Sequence, residues 1–125
     1  MRIGVISAFA VAVQAGASPA LAQDDGAKAG EASFKRQCIG CHAVEAGKNK
    51  VGPSVFGVVG RKAATAEGFS YSTALKDKGV TWTDDTLDKY LNDPKGFAPG
   101  NKMAFAGVKK ADERKQIIAY LKTLH

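Results

Sequence analysis

An all-α fold is what this sequence predicts, with three main helices separated by long loops. Apolar residues recur at helical spacing near both ends and after Thr83, and no run alternates apolar with polar as a strand would. Between His42 and Trp82 the chain is rich in Gly and Lys and carries at most a short helix, around Ser72 to Lys76. So long an irregular segment is out of place in a small domain unless it wraps something. The pentapeptide Cys38-Ile39-Gly40-Cys41-His42 says what: C-x-x-C-H reads as a c-type haem attachment site.

The first helix is expected from about Gly26 to Ile39, with Gly30 and Phe34 on one face at i and i+4. The middle helix follows Thr83, a good N-cap, with Asp84 and Asp85 favourably placed in its first turn. Leu87, Tyr90 and Leu91 give it an apolar stripe. The last helix is expected from about Asp112 to Leu124, where Ile117, Tyr120, Leu121 and Leu124 recur at helical spacing. Gly30 has no side chain and would let the first and last helices cross closely.

The pentapeptide has a chemistry for each letter. Two thiols on one helical turn can add to two vinyl groups on one edge of a porphyrin, and the adjacent imidazole then reaches the iron from the same side. The chain has two cysteines and two histidines, and three of these four residues lie here. A zinc half-site would need four ligands, yet beyond the pentapeptide only His125 remains. A thioredoxin-like redox pair would need a βαβ context. A disulfide would leave His42 without a role.

Iron in a porphyrin has a second axial position, and its occupant decides between electron transfer and chemistry. Met1 lies in the expected leader, which leaves Met103 as the methionine of the mature chain. Met103 sits in the Gly- and Pro-punctuated segment Pro94 to Gly107, read as a loop without a helix face. A lone methionine is often a gap-filler of the core, but a loop methionine has no regular face to pack. His125 competes as a ligand, although chain ends fray. Met103 is favoured, and with it a closed, six-coordinate iron.

Cys38-Ile39-Gly40-Cys41-His42, Gly52-Pro53, Gly60-Arg61-Lys62, Gly68-Phe69-Ser70-Tyr71, Gly79-Val80-Thr81-Trp82 and Pro99-Gly100-Asn101-Lys102-Met103 follow one another in order. From about Gly26 to Leu124 the chain thereby resembles class I cytochrome c, in its mitochondrial and bacterial c2-like branch. The resemblance implies a small cytochrome c fold around one haem c, covalently bound through Cys38 and Cys41, with a crossing of Gly30 and Phe34 against Ile117 and Tyr120. It implies that the backbone of Pro53 accepts the second ring N–H of His42, and that Arg61, Tyr71 and Trp82 supply donors to the propionates. Tyr90 matches a tyrosine whose hydroxyl approaches the methionine sulfur; ordinary core packing is the alternative for Trp82 and the tyrosines. Asn101 stands where the family often has a threonine donating to a propionate, a task an amide could share. Leu75 replaces an asparagine found near a buried water in many relatives.

Met1-Arg2, the apolar run Ile3 to Val13 and Ala20-Leu21-Ala22 describe a secretory signal peptide, cleaved before Gln23. That run is too short for the about twenty residues of a spanning helix, so cleavage is favoured over an uncleaved anchor of an oxidase complex. Residues 23–125 then form a single domain, expected to be periplasmic and monomeric. A chain this small buries a limited core, and a porphyrin would add an apolar centre.

The 125-residue chain has 18 basic and 12 acidic residues, a formal net charge of +6. Positive residues are dispersed, with Asp84, Asp85 and Asp88 between them, which argues against nucleic acid. Lys35, Arg36, Lys48, Lys50, Lys95 and Lys102 flank the two ligand segments and would ring the haem edge. The resemblance implies a one-electron carrier, not an enzyme, that docks acidic surfaces of a quinol–cytochrome c reductase and of an oxidase or photosynthetic reaction centre. The alternative is a haem peroxidase or gas-binding sensor with a labile sixth ligand.

Overall fold

Two helices cross with their backbones almost in contact, and the remaining elements are arranged around that crossing. The computed structural model describes the backbone of residues 20–125 and the side chains of 26–125; the expected signal peptide lies outside the described residues as far as Pro19. The helices are α1 (Ala20–Gln37), α2 (Thr73–Lys78), α3 (Asp84–Asn92), α4 (Pro94–Phe97) and α5 (Ala111–Leu121). No strand occurs among the described residues; the one extended pairing is an isolated antiparallel bridge between Lys62 and Thr81.

The α1 and α5 axes meet at Gly30, which is buried. A Cβ there would run into the carbonyl group of Gln116 and the amide nitrogen of Ile117. One turn later the Phe34 ring packs on Tyr120, with centroids 5.5 Å apart. Phe34 and Ile117 are among the least exposed residues of the core, which Val58, Trp82, Leu87, Val108, Ile118 and Leu121 extend. The predicted crossing is therefore present. α1 starts earlier than expected because Ala20 to Gln23 are good helix formers. It stops earlier, at Gln37, because the N–H groups of Cys38 and Ile39 both turn to the Phe34 carbonyl.

Thr83 caps α3 as its sequence predicts, and Thr86 completes a reciprocal capping box. α3 is fastened to α5 by Arg114, a buried side chain that the sequence reading did not single out. Its Nε donates to Asp88 at 2.7 Å, and its Nη1 donates to the carbonyls of Val108 and Lys109, each at 3.0 Å. The charge is thus paired and hydrogen-bonded, as a buried guanidinium requires.

The segment 94–97, read as loop, is instead the single helical turn α4. Pro94 is pre-set for the first helical position, and the Asp93 carboxylate accepts the Gly96 N–H at 3.0 Å. The His42–Trp82 segment closes on itself where Trp82 N–H donates to Arg61 (2.9 Å) and Gly60 N–H donates to Trp82 (2.7 Å). That contact brings Arg61 beside Trp82.

Gly30→Ala is expected to destabilise the fold by about 1–3 kcal/mol, since neither colliding group is a movable side-chain end. Gly26→Ala, whose Cβ would meet nothing within 4 Å, should be neutral or stabilising by up to about 1 kcal/mol. Denaturant unfolding of the two variants checks the contrast; equal effects would remove the crossing as the cause.

Candidate haem site

The pentapeptide forms a hydrogen-bonded turn directly after α1. The N–H groups of Cys41 and His42 both donate to the Cys38 carbonyl, at 3.0 and 2.9 Å. Cys38, Cys41 and His42 thereby reach the wall of one cavity, of about 310 Å³. Cys38 and Cys41 are not joined to each other as a disulfide. Burial, with Cys41 next to it as the second cause, pushes the Cys38 thiol up to about 11. Among the described residues no three His, Cys, Asp or Glu side chains gather as a metal cluster, so the zinc reading has no second half there.

His42 Nδ1 lies 2.7 Å from the Pro53 carbonyl oxygen. A carbonyl only accepts, so Nδ1 donates, which fixes the tautomer and leaves the Nε2 lone pair for a metal. Gly52 makes this approach feasible. Its N–H donates to the Cys41 carbonyl at 2.8 Å, and a Cβ on it would occupy the space of the imidazole.

Of the residues expected at the site, all but Asn101 line the cavity: Cys38, Cys41, His42, Pro53, Arg61, Tyr71, Trp82, Tyr90 and Met103. Arg61 donates from Nη1 to Phe56 (3.0 Å) and from Nη2 to Ser54 (3.3 Å). Its Nε is buried without a partner. An orphaned buried donor is costly, and a propionate carboxylate reaching this wall would satisfy it. The Tyr71 hydroxyl accepts the Ala66 N–H at 3.1 Å, and its own proton remains to be given. Trp82 is buried in an aromatic group with Tyr90 and Phe97, at 4.9 and 6.0 Å between centroids.

The Tyr90 hydroxyl donates to the Met103 sulfur at 3.7 Å. Burial pushes the phenol up to about 12, so it stays a donor at any physiological pH. Met103 is thus oriented toward the cavity and not spent on core packing. Two thiols on one turn, one imidazole nitrogen, one thioether sulfur and an unsatisfied cationic donor on a largely apolar wall fit a haem.

Asn101 departs from expectation. Its two amide N–H groups are engaged by the carbonyls of Pro94 (2.8 Å) and Ala98 (2.9 Å), so they do not face a propionate. Leu75 packs against the core and lines the cavity. Asn49, which the sequence reading passed over, ties the His42-side loop by donating to Glu67 (2.9 Å) and accepting from Ser54 N–H (3.0 Å). An amide inside a Gly- and Lys-rich loop is the signal that could have found it.

The basic residues expected around the haem edge divide into two sets. Lys35 pairs with Glu31 at 2.7 Å, Arg36 with Glu113 at 3.6 Å and Lys48 with Glu45 at 2.5 Å. Lys50 donates to the Ile39 carbonyl at 2.9 Å. Lys95 and Lys102 are exposed, and neither has an ion-pair partner among the described residues.

Comparison with known proteins agrees with this geometry. The family described as Cytochrome c matches residues 27–125. Cytochrome c2 iso-2 of Magnetospirillum molischianum is 59% identical over 87 residues, which is 70% of this chain and 90% of that protein. Cytochrome c of Gibberella zeae is 53% identical over 96 residues, 76% of this chain and 91% of that one. Among solved structures, cytochrome cH from Methylobacterium extorquens superposes with a TM-score of 0.74 at 48% identity, covering 78% of this chain and 97% of that one. With the attachment turn, the tethered imidazole and these relatives in agreement, the chain belongs to the cytochrome c family: a small electron carrier, not an enzyme, with one covalent haem c on Cys38 and Cys41.

Proposed function

We propose that the protein is a periplasmic one-electron carrier whose haem iron is held by His42 and Met103. The observation that carries this reading is the Met103 sulfur, which lines the same cavity as His42 and receives the Tyr90 hydroxyl. When bound, the haem supplies a one-electron exchange between ferric and ferrous iron. The chain's own residues do the rest. Pro53 holds the His42 ring by its Nδ1–H, so the ring does not turn when charge changes. Tyr90 holds the sulfur. Phe34, Leu75, Leu87 and Leu91 exclude water, which disfavours the more charged ferric state and, with a thioether ligand, raises the potential. Arg61 Nε and the Tyr71 proton are available to propionate oxygens, with Trp82 on the same wall.

Export is supported by the sequence Ala20-Leu21-Ala22 before Gln23, which makes residues 23–125 the mature domain. No helix among the described residues is long and apolar enough to cross a membrane. The protein acts as a monomer between a quinol-oxidising complex and an oxidase or photosynthetic reaction centre. Lys95 and Lys102, exposed beside the Met103 loop, steer acidic partners to the haem edge. Lys35, Arg36 and Lys48 contribute less, being shared with neighbouring carboxylates.

Met103→Ala opens the sixth position. Carbon monoxide binding to the reduced protein should strengthen by at least ~10-fold, the potential should fall, and stability should drop by about 2–5 kcal/mol or less. Optical titration and voltammetry of wild type and variant check this. A wild type that already binds carbon monoxide as readily as the variant would point to the peroxidase or sensor reading.

Charge reversal of Lys95 and Lys102 to Glu should slow electron exchange with an acidic partner by roughly an order of magnitude at low salt and flatten its salt dependence. Reversal of Lys115 on α5 and Lys122 just after it should do much less. Stopped-flow rates over a salt series measure both, and equal effects would reduce docking to net charge.

A further inference from the structure

The sixth-ligand loop is anchored by one side chain. Asn101 Oδ1 accepts the backbone N–H of Met103 at 2.9 Å. Its Nδ2 donates to the carbonyls of Pro94 at 2.8 Å and Ala98 at 2.9 Å. Those two carbonyls are not free ends. Pro94 is fully buried and Ala98 is 1% exposed, and they belong to the first and last residues around α4, where Ala98 N–H also donates to Pro94 at 3.0 Å. The amide therefore bridges from the buried α4 turn to the peptide nitrogen of the methionine. A second restraint, the Tyr90 hydroxyl, acts on the sulfur of the same residue.

A primary amide is a short group with two N–H donors and an acceptor together, and all three are used here. A threonine hydroxyl has one proton to donate, and an alanine has nothing. Gly100, at φ +90°, turns the chain sharply just before Asn101. Without the side chain, the backbone from Gly100 to Met103 is tied to α4 through the Asn101 N–H bond to Ala98, at 3.0 Å, while the Met103 carbonyl accepts from Phe105 N–H within the same loop, at 3.0 Å.

We propose that Asn101 is a positioning residue for the sixth ligand: it clamps the Met103 backbone to α4 and so sets how firmly the sulfur holds the iron. This rests on Met103 being that ligand. Its action is to keep the sulfur in place while the iron changes charge, and to resist competitors for the same position. It is not a donor to the haem.

The test compares exogenous-ligand binding in haem-loaded protein, with imidazole as the probe of the ferric iron. Asn101→Ala should bind imidazole on the order of 10-fold more tightly than wild type, the free-energy scale of losing these hydrogen bonds. The methionine–iron absorption should weaken, and Asn101→Thr should fall between. Asn49→Ala is the control, since Asn49 makes a similar backbone clamp in the loop on the His42 side. It should lower thermal stability comparably while leaving imidazole affinity within about 2-fold of wild type. Wild-type imidazole affinity in Asn101→Ala, or an equal rise in Asn49→Ala, would overturn the proposal, because the effect would be absent or merely global loosening. Met103→Ala separates the two levels. If it binds imidazole no more tightly than wild type, the ligand assignment and the clamp fall together. If it binds more tightly while Asn101→Ala does not, the clamp alone is wrong.

Discussion

The approach of α1 to α5 at Gly30 is the constraint on which the site depends. Because the helices touch backbone to backbone there, α1 ends at a fixed place, and the cysteines and His42 follow from its last turn. The same α5 that receives Gly30 presents Arg114, whose bonds to Asp88 and to the carbonyls of Val108 and Lys109 locate α3. From α3, Tyr90 reaches the sulfur of Met103. One chain of contacts thus connects the turn that holds the imidazole to the loop that holds the thioether. Few of its links are long flexible side chains, and the longest, Arg114, is locked by burial.

That rigidity has a functional meaning for electron transfer. Iron that alternates between two charges pulls on its ligands unequally, and any movement of them raises the barrier to the next transfer. Under the proposed ligation by His42 and Met103, both ligand-bearing segments are tied through their backbones. On the His42 side Pro53 accepts from the ring, Gly52 N–H bonds to Cys41, and Asn49 braces the loop. On the Met103 side Tyr90 restrains the sulfur and Asn101 the peptide nitrogen. The fold assigns hydrogen bonds to positions where side-chain packing alone would permit drift.

Much of this was legible in the chain. The helical crossing, the Thr83 cap and the attachment turn follow from local patterns, because glycine spacing, capping residues and C-x-x-C-H each act over a few residues. The sites of Pro53, Arg61, Tyr71, Trp82 and Tyr90 required the resemblance, since loop residues far apart in sequence meet only when the chain closes. What escaped were contacts made by backbone groups. Asn101 looks like a propionate donor in one dimension, but the carbonyls of Pro94 in α4 and of Ala98 just after it claim its amide first. Pro94–Phe97 reads as punctuation, yet proline and glycine fit a single capped turn. Ala64, at φ +60° on the cavity wall, carries no signal in its letter at all. Alanine in the left-handed region costs on the order of 1 kcal/mol, and only the surrounding loop imposes it.

The same distinction orders the surface. Six basic residues look equivalent in sequence, as a ring around one edge. Lys35 and Lys48 are each held by a carboxylate one helical turn or less away, at i−4 and i−3, and such pairs are exposed and weak. They can open, but their field at a distance is largely that of a dipole. Lys95 and Lys102 keep their full charge toward solvent, and they stand on the two sides of Pro99-Gly100-Asn101. Under the proposed docking, a partner approaching along the field is drawn to the loop that Asn101 braces, and the docking force falls on the methionine side. If Met103 is the sixth ligand as proposed, a loop carrying that load without its clamp would yield at the thioether first.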